Sequence, residues 1–165
     1  MIFLKTEEEI ELIREANLVV ARTLGEVAKW IAPGITTLKV DKIAEEYIRS
    51  QGAVPGFMGV GGFPNTLCIS VNENVVHGIP SNYALREGDI VSVDCGAIIH
   101  GMNGDSCYTF CVGEVAEDVK ELLRVTKQSL YKGIEKAVEG NRIGDIGNAV
   151  QEYCESHRYS VVREL

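Results

Sequence analysis

Asp94 and Asp105 stand with ten residues between them, on either side of a turn at His100-Gly101. The flanking segments, Asp89 to Ile99 and Met102 to Val112, alternate with period two and read as a β-hairpin. One face carries Val91, Val93, Cys95, Ala97 and Ile99 opposite Tyr108, Phe110 and Val112, which is core material. The other carries Ser92, Asp94 and Gly96 opposite Asp105, Cys107 and Thr109. A two-residue turn at 99–100 or 100–101 would bring the carboxylates directly across the ladder or diagonally. Carboxylates that close repel, and in a sheet interior one of them would hold a proton. A divalent cation removes that cost. Oxygen donors suit Mn, Fe, Co or Mg, and facing acids can bridge two ions about 3.5–4 Å apart. On spacing alone, two solvent-facing strand acids beside a turn are the commoner outcome.

His77, in the run His-Gly-Ile-Pro, ends a short predicted strand, Val75 to His77, where the chain leaves the sheet beside a glycine loop. Its ring could contact substrate or move a proton; a histidine satisfied by nearby backbone is the alternative. His100 in the turn and His157 near a helix end read as surface residues and weak ligands. Cys68, Cys95, Cys107, Cys111 and Cys154 lack disulfide-framework spacing and read as reduced thiols. The C-x3-C pair at 107 and 111 has no partners for a zinc site.

These groups need a scaffold. A capping box at Thr6 and Glu9 opens a helix with Ile10, Ile13, Val20, Leu24, Val27 and Ile31 on one stripe, ended by Pro33-Gly34. A second helix starts near Thr37, turns Val40, Ile43, Ala44, Tyr47 and Ile48 inward, and stops near Gly52. From Val54 to Pro64 the glycines, Gly56, Gly59, Gly61 and Gly62, mark a loop that lets backbone approach closely. Strands are predicted at Leu67 to Val71 and Val75 to His77, before the hairpin. Helices at about 117 to 138 and 144 to 157 complete the chain, ahead of a strand start at Tyr159 to Leu165.

The last helix pair resembles the first at an offset of 106 residues, which pairs Gly34 with Gly140, Val40 with Ile146, Tyr47 with Tyr153 and Ser50 with Ser156. Two helices with similar loops can also align by chance. A true duplication makes 1–113 a first half and 114–165 the opening of a second, the chain then being a shortened form of a longer protein.

With 165 residues and 45% hydrophobic content, the chain can bury a core. A net charge of −8 and scattered basic residues argue against nucleic acid as a direct partner. No apolar run nears a bilayer span and the N-terminus is not laid out as a signal peptide, so the expected setting is cytoplasmic, away from the membrane.

Three runs together decide more than their parts: Cys68 through Pro80 (CISVNENVVHGIP), Gly88 through Asp94 (GDIVSVD), and Gly104-Asp105. They closely resemble bacterial type I methionine aminopeptidase, over the whole chain. The resemblance implies an α+β, pita-bread (creatinase/aminopeptidase) fold of two pseudosymmetric halves, here with the second incomplete. It implies removal of the initiator methionine from nascent proteins by metal-hydroxide hydrolysis of the first peptide bond, with two divalent ions (Co, Mn, Fe or Zn) as cofactors and an N-terminal Met-peptide or nascent chain as substrate. Asp94 and Asp105 match the two aspartate ligands, Asp105 bridging both ions. His77 matches the catalytic histidine that contacts substrate near the scissile bond, and Phe63 and Cys68 match residues lining the methionine pocket. Val60 stands where many relatives carry tyrosine. The third ligand histidine and two glutamates of the family fall beyond Leu165, and neither His100 nor His157 matches that histidine. The expectation is a chain inactive by itself, self-associating through an exposed sheet edge. A noncatalytic pita-bread relative that binds peptides or proteins is the alternative; the short N-terminus and the His-Gly-Ile-Pro context speak against a proline-specific aminopeptidase.

Overall fold

The first helix begins where its capping chemistry dictates. In a computed structural model that describes residues 3–163, the Glu9 backbone N–H donates to Thr6 Oγ1 at 3.2 Å and the Thr6 N–H donates to Glu9 Oε2 at 2.9 Å. Helix α1 spans Glu7–Ala28, and α2 spans Thr37–Ser50 with Thr36 as its N-cap. Helix α1 ends at Ala28, ahead of Pro33-Gly34, so Ile31 packs on the core from the loop and not from the helical stripe. Ile10 also leaves the expected core: it is 45% exposed, because burial along α1 starts only at Ala16.

The chain forms two compact units, one ending at Val115 and the other beginning at Ala116. In the first, strands β1 (Val54–Pro55), β2 (Leu67–Val71), β3 (Ile90–Ile99) and β4 (Met102–Cys111) make an antiparallel sheet. Central β3 pairs along its length with β4; on its other side β2 covers residues 91–95 and the two-residue β1 covers Ala97 and Ile98. Between Gly56 and Pro64 the only regular piece is a 3-10 turn at Val60–Gly62. Val91, Val93, Cys95 and Ala97, fully buried, join Leu67 and Ile69 and the apolar stripes of α1 and α2 in one core. Helix α1 reaches β4 over Gly104, where an added Cβ would fall 2.5 Å from the Ala16 carbonyl. Beyond Gly104 the cover thins: Tyr108, expected in the core, is 48% exposed and its ring lies tilted against Phe110 with centroids 4.8 Å apart.

Val75 to His77 is not a strand. Asn72 leaves β2 in the left-handed region at φ 52° and His77 returns through the same region at φ 57°, and residues 75–77 join no strand of the sheet. Val75 and Val76 are exposed there.

The second unit holds α3 (Glu117–Ile134) and α4 (Ile143–Ser156), packed where Gly133 admits the side chains of Ile146 and Val150. Helix α3 stops four residues before the expected 138, and Tyr159 to Arg163 form no strand; Glu164 and Leu165 lie outside the described residues. Among the described residues, no helix is long and apolar enough to cross a membrane.

Candidate metal centre

The even-numbered residues of β3 point to the face opposite the core, and their ladder partners arrange that face in rows. One row runs Ser70–Ser92–Thr109, the next Cys68–Asp94–Cys107, and the third sets Gly96 against Asp105. Asp105 is therefore diagonal to Asp94, two ladder pairs and one row of this face nearer the turn. Register comes from the two-residue loop: Ile99 pairs with Met102, leaving His100 at φ 53° and Gly101 at φ 75°, the double left-handed conformation of a tight hairpin turn. The row of small polar groups is closed at one end by a hydroxyl pair, Ser92 Oγ to Thr109 Oγ1 at 2.8 Å.

At the other end stands Phe57. Gly56 donates its N–H to the Gly96 carbonyl at 2.8 Å, and a Cβ added at Gly96 would lie 2.6 Å from the Phe57 ring. The ring thus covers the strand beside both acids, in space that a side chain at position 96 would need.

Asp94 is half-buried while Asp105 is exposed. Burial pushes the Asp94 carboxyl up, and the charge and hydrogen bond of neighbouring Asp105 push it further; His77 and the Cys95 backbone N–H pull the other way. The same two acids, after burial itself, drive the flanking thiols up, Cys68 and Cys107 to about 11 and Cys95 to about 12. These thiols stay protonated near neutrality, and all five cysteines are free of disulfides. Two neighbouring carboxylates, each raising the cost of the other's charge, are an oxygen donor set that a hard or borderline divalent cation fits. Among the described residues no third His, Cys, Asp or Glu joins them in a cluster able to hold an ion.

His77 lies in the exposed loop after β2, close enough for its charge to act on Asp94. Cys68 is 7% exposed and sits beside Asp94 on β2. Phe63, half-buried, ends the 3-10 turn with its N–H on the Val60 carbonyl at 2.9 Å, and Val60 itself is exposed. His100 sits away from the acids, its Nε2 3.6 Å from Glu15 Oε2, and His157 stacks on Tyr153 at 4.4 Å. A cleft of about 300 Å³ lined by Thr37, Ile69, Asn72, Asn74, Ser81 and Tyr83 belongs to the core side of β2, not to the acid face.

Sequence reasoning missed three contributors. Phe57 was signalled by a glycine in the interior of a strand, which marks close approach. Asp41, 5% exposed on α2, accepts from the Thr66 and Leu67 backbone N–H groups at 3.0 and 2.8 Å and from Asn65 Nδ2 at 2.8 Å, anchoring the loop that carries Phe63. Its signal was a lone charge on the stripe shared with Ala44 and Ile48. The third is Ser70, whose neighbours in sequence give no hint of its partner.

The profile of metallopeptidase family M24 matches residues 11–165. The chain belongs to that family. Among M24 relatives, it is 50% identical over 165 residues to the methionine aminopeptidase of Clostridium acetobutylicum, covering 99% of this chain and 66% of the relative. It is 49% identical over 164 residues to methionine aminopeptidase 1 of Bacillus subtilis, again covering 99% and 66%. The chain thus spans just under two thirds of the length of these relatives. The solved methionine aminopeptidase of Rickettsia prowazekii superposes with a TM-score of 0.98 at 39% identity, over 99% of this chain and 66% of that one. The prolidase of Pyrococcus furiosus, at 24% identity and covering 93% and 44%, shares the fold with a TM-score of 0.84. The M24 chain therefore has the pita-bread fold, in the α+β class expected.

Proposed function

We propose that the protein acts as a metal-dependent aminopeptidase that removes the initiator methionine from newly made chains in the cytoplasm. The observation that carries this reading is the diagonal placement of Asp94 and Asp105 on one sheet face, with Cys68 in the adjoining position and His77 acting on Asp94. Asp94 and Asp105 would hold two divalent ions of the Co, Mn, Fe or Zn class, joined by further donors in a protein of the relatives' length. Metal bound there would supply a water acidic enough to act as nucleophile at neutral pH and would polarise the peptide carbonyl. His77 faces the peptide next to the scissile bond and steers its proton. Phe63 and Cys68 form the wall against the methionine side chain, an apolar and polarizable surface that suits a thioether. Val60, small and apolar, suits the same side chain.

The helix boundaries support reading residues 1–113 as a first pita-bread half and 114–165 as the start of its repeat. Helix α2 shifted by 106 residues, from 37–50 to 143–156, coincides with α4 end for end. In the relatives' full-length setting, turnover of a Met-Ala-Ser peptide with Mn or Co is expected, falling at least about 10³-fold in Asp94→Asn or Asp105→Asn. Undiminished turnover in those variants would sink the reading. A second reading is a peptide-binding relative without catalysis. Peptide binding with no hydrolysis at any metal concentration would favour it. The 165-residue chain alone is expected to hydrolyse little or nothing.

A further inference from the structure

His77 holds an unusual backbone conformation, φ 57°, with no glycine to make it easy. What keeps it there is visible one residue on. The Gly78 N–H donates to Ser70 Oγ at 3.1 Å, and the Gly78 carbonyl accepts from the Ile69 N–H at 2.8 Å. A Cβ on residue 78 would fall 2.1 Å from the Ile69 carbonyl oxygen, so the chain is pressed directly onto β2 and only glycine fits.

We propose that Ser70 is a positioning residue for His77, acting through the 77–78 peptide. The Gly78 N–H and the His77 carbonyl share one planar unit, so anchoring that N–H restrains ψ of His77 and with it the Cα–Cβ bond from which the imidazole projects. At its other end the loop is tied at Asn72, also left-handed, whose Nδ2 donates to Asp89 Oδ1 at 2.9 Å and whose Oδ1 accepts from the Ile90 N–H at 3.0 Å. Between these anchors Val75 and Val76 are exposed, so the loop has little apolar packing to hold it. Among the described residues Ser70 supplies the side-chain bond to the 77–78 peptide, from a position 4% exposed and two residues along β2 from Cys68. A hydroxyl buried that deeply needs a partner, and this one is matched to a peptide that a serine-to-alanine change would leave without an acceptor. The assignment rests on the reading of His77 as a substrate-facing residue.

The test uses the metal-loaded protein at the relatives' length, with Ser70→Ala, Ser70→Thr, His77→Ala and the Ser70→Ala/His77→Ala pair. Ser70→Ala should lower kcat about 10- to 100-fold, as small misplacements of a catalytic group do, with KM changed less than about threefold. Metal stoichiometry should stay unchanged, and Ser70→Thr should recover most of the loss. In the His77→Ala background the serine change should have no further effect, the signature of two residues acting as one. An equal fold loss in both backgrounds would show a merely structural role and overturn the proposal, as would a fully active Ser70→Ala. If His77→Ala is itself fully active, the reading of His77 fails first and the clamp falls with it. Should Ser70→Ala not accumulate folded, Ser70→Cys, near-isosteric with a poorer acceptor, carries the same expectations.

Discussion

Asp94 is held in a state it does not favour when alone. Burial and the charge of Asp105 raise its carboxyl pKa, so the folded protein binds that proton more tightly than the unfolded chain does. Its contribution to stability is therefore present below the unfolded value and is lost as pH rises through the raised folded one. Asp94→Asn should stabilise the metal-free protein near neutrality by about 1 kcal/mol, a modest figure because solvent screens a half-buried pair. Thermal melts should show the gain; at the relatives' length, where further donors join the two acids, added Mn should raise the melting temperature of the parent and no longer do so for the variant. Asp89 behaves in the opposite sense. Burial raises it, but bonds from Asn72, the Arg86 N–H and Tyr83 outweigh burial and leave its carboxyl below the usual range. Its contribution exists above the unfolded pKa and disappears as pH falls through the folded one. Asp89→Asn should blunt the acid-side loss of stability and leave the neutral side nearly flat; an unchanged acid limb in a pH series of urea midpoints would refute this.

At the scale of the elements, glycines decide how closely strands meet their covers. Gly104 lies under the backbone of α1, and backbone cannot step aside, so Gly104→Ala should destabilise by about 3 kcal/mol. At Gly96 the nearest atoms belong to the Phe57 ring, a side chain that can rotate away, so Gly96→Ala should cost about 1 kcal/mol while disturbing the acid face. Urea denaturation that reversed this order would contradict the packing described. The hairpin, the helix starts and the strand Leu67–Val71 were legible beforehand because each rests on local signals: period-two alternation, caps, and a glycine turn. Both aspartates on one face followed from the same alternation, and only the choice between direct and diagonal pairing needed the register. The Val75 to His77 segment misled because β-branched residues suit a strand wherever an adjacent strand exists, and here the left-handed Asn72 and His77 remove it. Asp41 and Ser70 stayed hidden for another reason. Their partners are backbone N–H groups, at 25 and 26 residues from Asp41 and at 8 from Ser70, and no periodicity encodes such a bond. Asp41→Ala should leave two buried donors without acceptors and cost about 2–4 kcal/mol, readable by the same denaturation.

For the molecule as a whole, the sheet presents a long side that pairs with nothing further: among the described residues β4 has β3 as its one strand partner. Ten residues of edge with an exposed Tyr108 invite another strand. The 165-residue chain should therefore self-associate at high concentration by light scattering, and Tyr108→Lys should shift it toward monomer. A clean monomer for the parent at all concentrations would remove that expectation. The two-residue turn at His100 and Gly101 also bears on how this protein can vary over descent. Inserting or deleting a single residue there would exchange the two sides of β4, sending Asp105 toward the helices and Ser106 into its place. The tip of the hairpin can change its letters, but its length counts in twos.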